Sequence, residues 1–266
     1  MGIMKEAIKE YYRTKPKKEY KDKMLSPSML GGCPRVMYYT LNGVPQTNPP
    51  DENAQMNFEL GNKWESHIAE IFDNIGMLTY WWNEGQSKRY VANQEEWKGK
   101  LRQDAWEDSE LNLRGTPDLV VTENGGYVLT DVKTASQDSA KFIVDCSNEE
   151  YFDDHIQHKL QLGSYLVLAK RRYQAGLEDK KMDYGKLIII SKDNGCILKE
   201  PVLMLTPELE REVLDRIDYL NFHIKTDSKP PCTCSGWQVN YCNYGDMTET
   251  IVNRKKRTVP TSCCKL

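Results

Sequence analysis

Apolar side chains recur at Leu60, Trp64, Ile68, Ile71 or Phe72, and Ile75, three or four residues apart, which is the period of one helix face. The spacing predicts a helix over about 55–75, stopped at Gly76, a residue suited to the positive φ of a helix end. A similar stripe of Leu209, Val213, Ile217, Leu220 and Ile224 follows Thr206 and Pro207, an N-cap and first-turn pair. Further helices are expected over about 5–12, from the Ser-Pro of "LSPSMLGGCPRVMYYTLNG", in "SQDSAKFIVD", and over about 150–174 in "DDHIQHKLQLGSYLVLAKRRY". Between them the pattern shortens to strands in "LTYWW" and "KRYVAN" and to a hairpin in "KLIIISKDNGCILKEPVLML". The order implies a mixed α/β layered domain, a mostly antiparallel sheet with helices interleaved, ending in a Cys-bearing tail.

The sharpest local signal is "RGTPDLVVTENGGYVLTDVKTAS". Asn-Gly between alternating apolar runs predicts a two-residue hairpin turn, since both central residues must take positive φ. With Asn124 and Gly125 as the turn, Glu123 faces Gly126, and counting outward brings Asp118 opposite Asp131. Directly opposed side chains share a face with Cβ atoms about 5 Å apart, and Lys133 shares that face. A turn at Gly125-Gly126 would change the pairing. Opposed like charges are destabilising, so the pair requires a cation or a raised pKa. Two readings follow: a solvent-facing strand pair with Lys133 neutralising Asp131, or carboxylate ligands for Mg²⁺ or Mn²⁺, hard ions that take the rest of their shell from water and phosphate.

Composition narrows the setting. The 266 residues are 39% hydrophobic and 28% charged, which excludes a disordered chain. They suffice for one large domain with appendages, a basic segment at 1–25 and a basic tail at 246–266. The net charge of −3 gives no global attraction to nucleic acid, but "RTKPKKEYKDK" and "NRKKR" are local basic runs, either solvated tails or phosphate contacts. No stretch approaches the roughly 20 apolar residues of a membrane span, and the start lacks a signal core, so an intracellular, cytoplasmic protein is expected. Eight Cys in a chain this long suggest reduced thiols or metal ligands.

Together, "GTPD" and "DVK" resemble the signature of the PD-(D/E)XK nuclease superfamily. Three features resemble its RecB-like exonuclease branch, which includes CRISPR-associated exonucleases and AddB-type helicase–nuclease subunits. One is "GNKWESH", carrying His67 on a helix. Another is Gln161-x-x-x-Tyr165, whose spacing puts both side chains on one helix face. The last is Cys33 early with Cys232, Cys234 and Cys242 late, similar to the iron–sulfur members.

The resemblance implies a restriction-endonuclease-like core, a central mixed sheet flanked by helices, with a Cys-ligated clasp joining the N- and C-terminal segments. It implies a Mg²⁺- or Mn²⁺-dependent exonuclease on single-stranded or end-bearing DNA. His67, Asp118, Asp131 and the Val132 carbonyl would hold the ion; Lys133 would position or deprotonate water; Gln161 and Tyr165 would steady the site. Arg35 and Arg114 would contact the DNA backbone. Cys33, Cys232, Cys234 and Cys242 would hold a structural [4Fe–4S] cluster, although four thiolates also suit zinc. The single residue between Cys232 and Cys234 departs from the two the branch commonly shows, and leaves open whether Cys263 or Cys264 replaces one of them. A helicase, recombination or CRISPR-adaptation partner is implied on the same footing. The contrasting reading is a non-catalytic or zinc-binding DNA-binding scaffold.

Overall fold

The computed structural model describes residues 3–14, 23–82, 101–102, 105–234, 242–244, 247–252 and 255–260. The expected strand in "KRYVAN" and Cys263 and Cys264 lie outside them. Helices α1 (Ile3–Thr14), α2 (Pro27–Leu30), α3 (Pro34–Leu41) and α4 (Glu52–Asn74) come first. Strands β1 (Leu78–Trp82), β2 (Leu101–Arg102), β3 (Trp106–Asp108), β4 (Leu113–Gly115), β5 (Leu119–Glu123) and β6 (Gly126–Ala135) follow, then α5 (Gln137–Asp145), α6 (Asn148–Asp154) and α7 (Ile156–Gln174). The chain continues through β7 (Tyr184–Ser191), β8 (Ile197–Lys199), β9 (Val202–Met204), α8 (Pro207–Lys225), β10 (Met247–Val252) and β11 (Lys255–Pro260). Two compact units result, one of residues 1–24, 32–60 and 218–266, the other of residues 25–31 and 61–217.

The larger unit is built on a mixed sheet in the order β2-β1-β5-β6-β7-β8, with β9 also paired to β7. Strands β5 and β6 are antiparallel in the expected register, Leu119 opposite Thr130 and Glu123 opposite Gly126. Asn124 (φ 51) and Gly125 (φ 77) both take the positive φ that such a turn demands. β6 and β7 are parallel, because the residues between them form a helical crossover rather than a turn. On one sheet face Ile68 and Ala69 of α4 pack with Leu119, Val132, Ile188 and Ile190, joined by Trp64 and Phe72. Alternation along β6 then turns Asp131 and Lys133 to the other face, where the Gln161 side chain of α7 meets Asp131.

Helix α7 buries every residue from Leu162 to Ala169, the all-round burial of a helix enclosed on several sides. The helix expected over about 150–174 is two helices, separated at His155 (φ −112, ψ 56). A capping box of Ser147 and Glu150 starts the first of them. An apolar period carries no mark of a one-residue break of this kind, which falls in an exposed stretch. The stripe of α8 is as expected, with Leu209, Val213, Ile217 and Leu220 buried.

In the smaller unit Tyr39, Tyr244 and Cys242 form a core against which Cys33, Cys232 and Cys234 pack. Tyr12 donates to Glu59 (2.8 Å) and Arg13 to Glu52 (2.6 Å), fixing α1 to the first part of α4.

Gly115 sits where α2, β4 and α7 converge. A Cβ there would lie 2.6 Å from Pro27 Cδ and 3.0 Å from the Tyr165 ring. Gly115→Ala is expected to cost about 1–3 kcal/mol, the usual penalty of overpacking, read as a fall of several degrees in the melting midpoint. An unchanged midpoint would show that this corner yields freely.

Candidate active site

The hairpin register carries Asp118 to the foot of β5 and Asp131 to the middle of β6, where strands on both sides bury it (2% side-chain exposure). The Val132 N–H donates to Asp118 Oδ2 at 3.0 Å. Lys133 Nζ lies 2.6 Å from Asp131 Oδ2. Gln161 Nε2 donates to Asp131 Oδ1 at 3.1 Å, and the Tyr165 hydroxyl donates to the Thr116 carbonyl at 2.7 Å. Gln161 and Tyr165 therefore brace the two aspartates from one face of α7, one at the carboxylate itself and one at the backbone leading into Asp118.

A third carboxylate joins them from α4. Glu65 is pushed up to about 7, by burial first and then by the charge of Asp131, against the pull of Lys133. Burial, followed by Asp131 and Glu65, holds the Asp118 carboxyl well above the usual carboxylate range, although Lys133 and the Val132 N–H oppose it. Burial would lower Lys133, but Asp131, Asp118 and Glu65 outweigh it, so its ammonium is held above its ordinary value. Asp131 thus pairs directly with the Lys133 ammonium, and Asp118 and Glu65 act on it through their charge. That donor set, hard oxygen ligands carrying more negative charge than one Lys neutralises, fits a divalent cation.

His67 is not part of this group. It is exposed, with Nδ1 4.0 Å from Glu70 and its ring 5.8 Å from that of Trp64. Residues two apart on a helix diverge by roughly 200°, so Glu65 and His67 cannot serve the same face. The signal for Glu65 was in the sequence: with Ile68, Ala69 and Phe72 at i+3, i+4 and i+7, it is the acidic first member of the buried stripe.

The two arginines are also already engaged. Arg35 Nε donates to the Pro230 carbonyl at 2.8 Å, bracing the segment that carries Cys232. Arg114 is half-exposed on β4, 3.9 Å from Glu107. Of the two basic runs near the chain ends, residues 15–22 and 253–254 lie outside the described residues.

In the smaller unit the ligand atoms of Cys33, Cys232 and Cys234 lie within 4.8 Å of one another. Cys33 Sγ is 3.9 Å from Cys232 Sγ, far beyond a disulfide bond of about 2.05 Å. Burial, a hydrogen bond that the Cys234 thiol donates to Cys33, and the charges of Cys33, Cys232 and Cys242 push the Cys234 thiol up. Three clustered thiols, with Cys242 in the same small core, are a donor set that a thiophilic metal would complete.

The sequence matches the model of the PD-(D/E)XK nuclease superfamily over residues 37–246, most of the chain. The chain belongs to the PD-(D/E)XK nuclease superfamily. Among solved structures, the crystal structure of SSO0001 is similar to it, with 15% identity, 91% of this chain and 95% of that chain covered, and a TM-score of 0.45. No curated protein matches the chain. Membership in this superfamily implies a metal-dependent nuclease with DNA as its substrate. No described helix is long and apolar enough to cross a membrane.

The raised Glu65 fixes a sign. Between its ordinary 4.5 and about 7 the folded site keeps a proton that the unfolded chain has released, so this group's contribution to stability falls as pH rises through that window. Without divalent metal, Glu65→Gln is expected to have a flatter melting-temperature profile across that window than the wild type. Parallel profiles would mean that Glu65 titrates normally.

Proposed function

We propose that the protein is a Mg²⁺- or Mn²⁺-dependent deoxyribonuclease that degrades single-stranded or end-bearing DNA as an exonuclease. The observation that carries this reading is the ion pair of Lys133 with the buried Asp131, coupled electrostatically to the part-buried Asp118 and Glu65, on a fold of this superfamily. Asp118, Asp131 and the Val132 carbonyl would hold the ion, with Glu65 in the place expected for His67. A bound divalent ion would polarise the phosphoryl oxygen and lower the pKa of water.

The chain's own groups supply the rest. Lys133, held as an ammonium by three carboxylates, is suited to orient the attacking water and stabilise charge developing on phosphate oxygens. Acting as a base would require loss of its proton, which added positive charge near Asp131 favours. Gln161 fixes Asp131 by accepting none of its charge and donating one N–H, while Tyr165 fixes the approach to Asp118. The exonuclease preference, and a helicase, recombination or CRISPR-adaptation partner that would supply strand ends, rest on the RecB-like motifs alone. So does a main domain over 26–245.

For the cysteine centre, different observations support different occupants. The RecB-like arrangement of Cys33, Cys232, Cys234 and Cys242 supports a structural [4Fe–4S] cluster. The 3.9 Å sulfur separation supports zinc, since two thiolates about 2.3 Å from one tetrahedral ion stand about 3.8 Å apart. We favour the cluster, in which each Cys binds its own iron and the short Cys232–Cys234 spacing is less strained.

DNA labelled separately at its 5′ and 3′ ends tests the nuclease. Wild type with Mg²⁺ or Mn²⁺ should release label progressively, and Lys133→Ala should be slower by at least about 10²-fold, the usual cost of an electrostatic stabiliser. Equal rates for the two proteins, or no cutting by either, would refute the assignment. Metal analysis of anaerobically purified protein tests the second centre: iron with acid-labile sulfide is expected, with loss of both and a lower melting temperature in Cys33→Ser. Stoichiometric zinc without sulfide would replace the cluster with a single ion.

A further inference from the structure

The polar stripe of α7 extends one turn beyond Gln161. His158, Gln161 and Tyr165 stand at i, i+3 and i+7, within roughly 60° of one another around the helix axis. Tyr165 braces the approach to Asp118 and Gln161 braces Asp131. One turn further toward the start of the helix, His158 feels the charge of Lys133.

His158 is held from behind. The Tyr151 hydroxyl is 2.7 Å from His158 Nδ1, and Tyr151 is almost fully buried, at 1% exposure. The His155 ring lies flat on Tyr151, 4.3 Å away at 7°, and 5.4 Å from the His158 ring. His155 Nδ1 donates to the Tyr151 carbonyl at 3.1 Å, so the break between α6 and α7 seats this ring on the phenol. A buried phenol proton needs an acceptor, and His158 Nδ1 is the one that the described residues offer it. With Nδ1 accepting, the ring proton belongs on Nε2, on the side of the imidazole away from Tyr151.

We propose that Tyr151 and His158 extend the candidate active site by one helical turn. Tyr151 fixes His158 as the Nε2–H tautomer, and that N–H, on the stripe of α7 that carries Gln161, binds a non-bridging oxygen of the DNA phosphate. Two further facts suit the role. His158 is only partly buried, so a strand can reach it. Burial, followed by the charges of Lys133 and His155, holds His158 down to about 3, so the ring donates without adding a charge that would repel Lys133. Burial, followed by Asp131, holds the Tyr151 phenol above its usual value, so the phenol keeps the proton that it donates.

This inference rests on the nuclease reading, and the test separates the two. The chain has four His, so ¹⁵N imidazole signals of the wild type can be assigned to His158 by their loss in His158→Ala. The expected signature near neutral pH is one protonated nitrogen, Nε2, and an unprotonated Nδ1, with that preference lost in Tyr151→Phe. An Nδ1–H ring or an imidazolium would overturn the proposal. In parallel, cleavage of an end-labelled single-stranded oligodeoxynucleotide with Mg²⁺ should fall about tenfold in His158→Ala, the worth of one hydrogen bond. His158→Asn, which keeps an acceptor for Tyr151 and an N–H for phosphate, should recover part of the loss at similar thermal stability. Wild type that cuts while His158→Ala cuts equally fast overturns this inference and leaves the nuclease standing. Wild type that cuts no DNA removes both.

Discussion

Asp118 and Asp131 meet across a buried strand pair, and the larger unit is arranged around their mutual repulsion. Opposed carboxylates in a low-dielectric setting are costly unless each finds compensation. Asp118 has the Val132 N–H; Asp131 has Lys133 and Gln161. Glu65 adds a third negative group that these partners do not neutralise, and its own proton affinity rises as a result. A fold that minimised only its own free energy would place apolar groups here. The retained charge reads as a site held ready for a cation and a phosphate.

The supporting frame follows from that demand. Strand β6 must be central to bury Asp131, and it is paired on one side by the hairpin and on the other by the parallel strand β7. Apolar packing by α4 holds one sheet face, while Gln161 of α7 meets Asp131 on the other. Because α7 is enclosed along its middle, Gln161 and Tyr165 project from a rigid element, and sites built on such elements keep their geometry better than those on loops. The break at His155 adds a short helix whose Tyr151 reaches back to the same stripe.

The cysteine centre of the smaller unit answers a similar difficulty with softer ligands. Thiols far apart in sequence gather in a small aromatic core with Tyr39 and Tyr244, and Arg35 is spent on the Pro230 carbonyl beside them.

What the sequence determined by itself was local. Asn124-Gly125 set the hairpin register because turn geometry demands positive φ at both positions, and that register carried Asp118 to Asp131. Helical periods located α4 and α8 and put Gln161 and Tyr165 on one face, since those spacings are properties of the backbone. Tertiary structure decided that Glu65, and not the more suggestive His67, would be coupled to Asp118 and Asp131, because burial depends on where the sheet lies. It also decided that Arg35 would be engaged by a carbonyl almost two hundred residues away, that one long helical pattern would break at His155, and that His158 would join Tyr151. Each of these turns on contacts between distant segments, and a residue's chemistry there is set by neighbours that its own stretch of sequence does not contain.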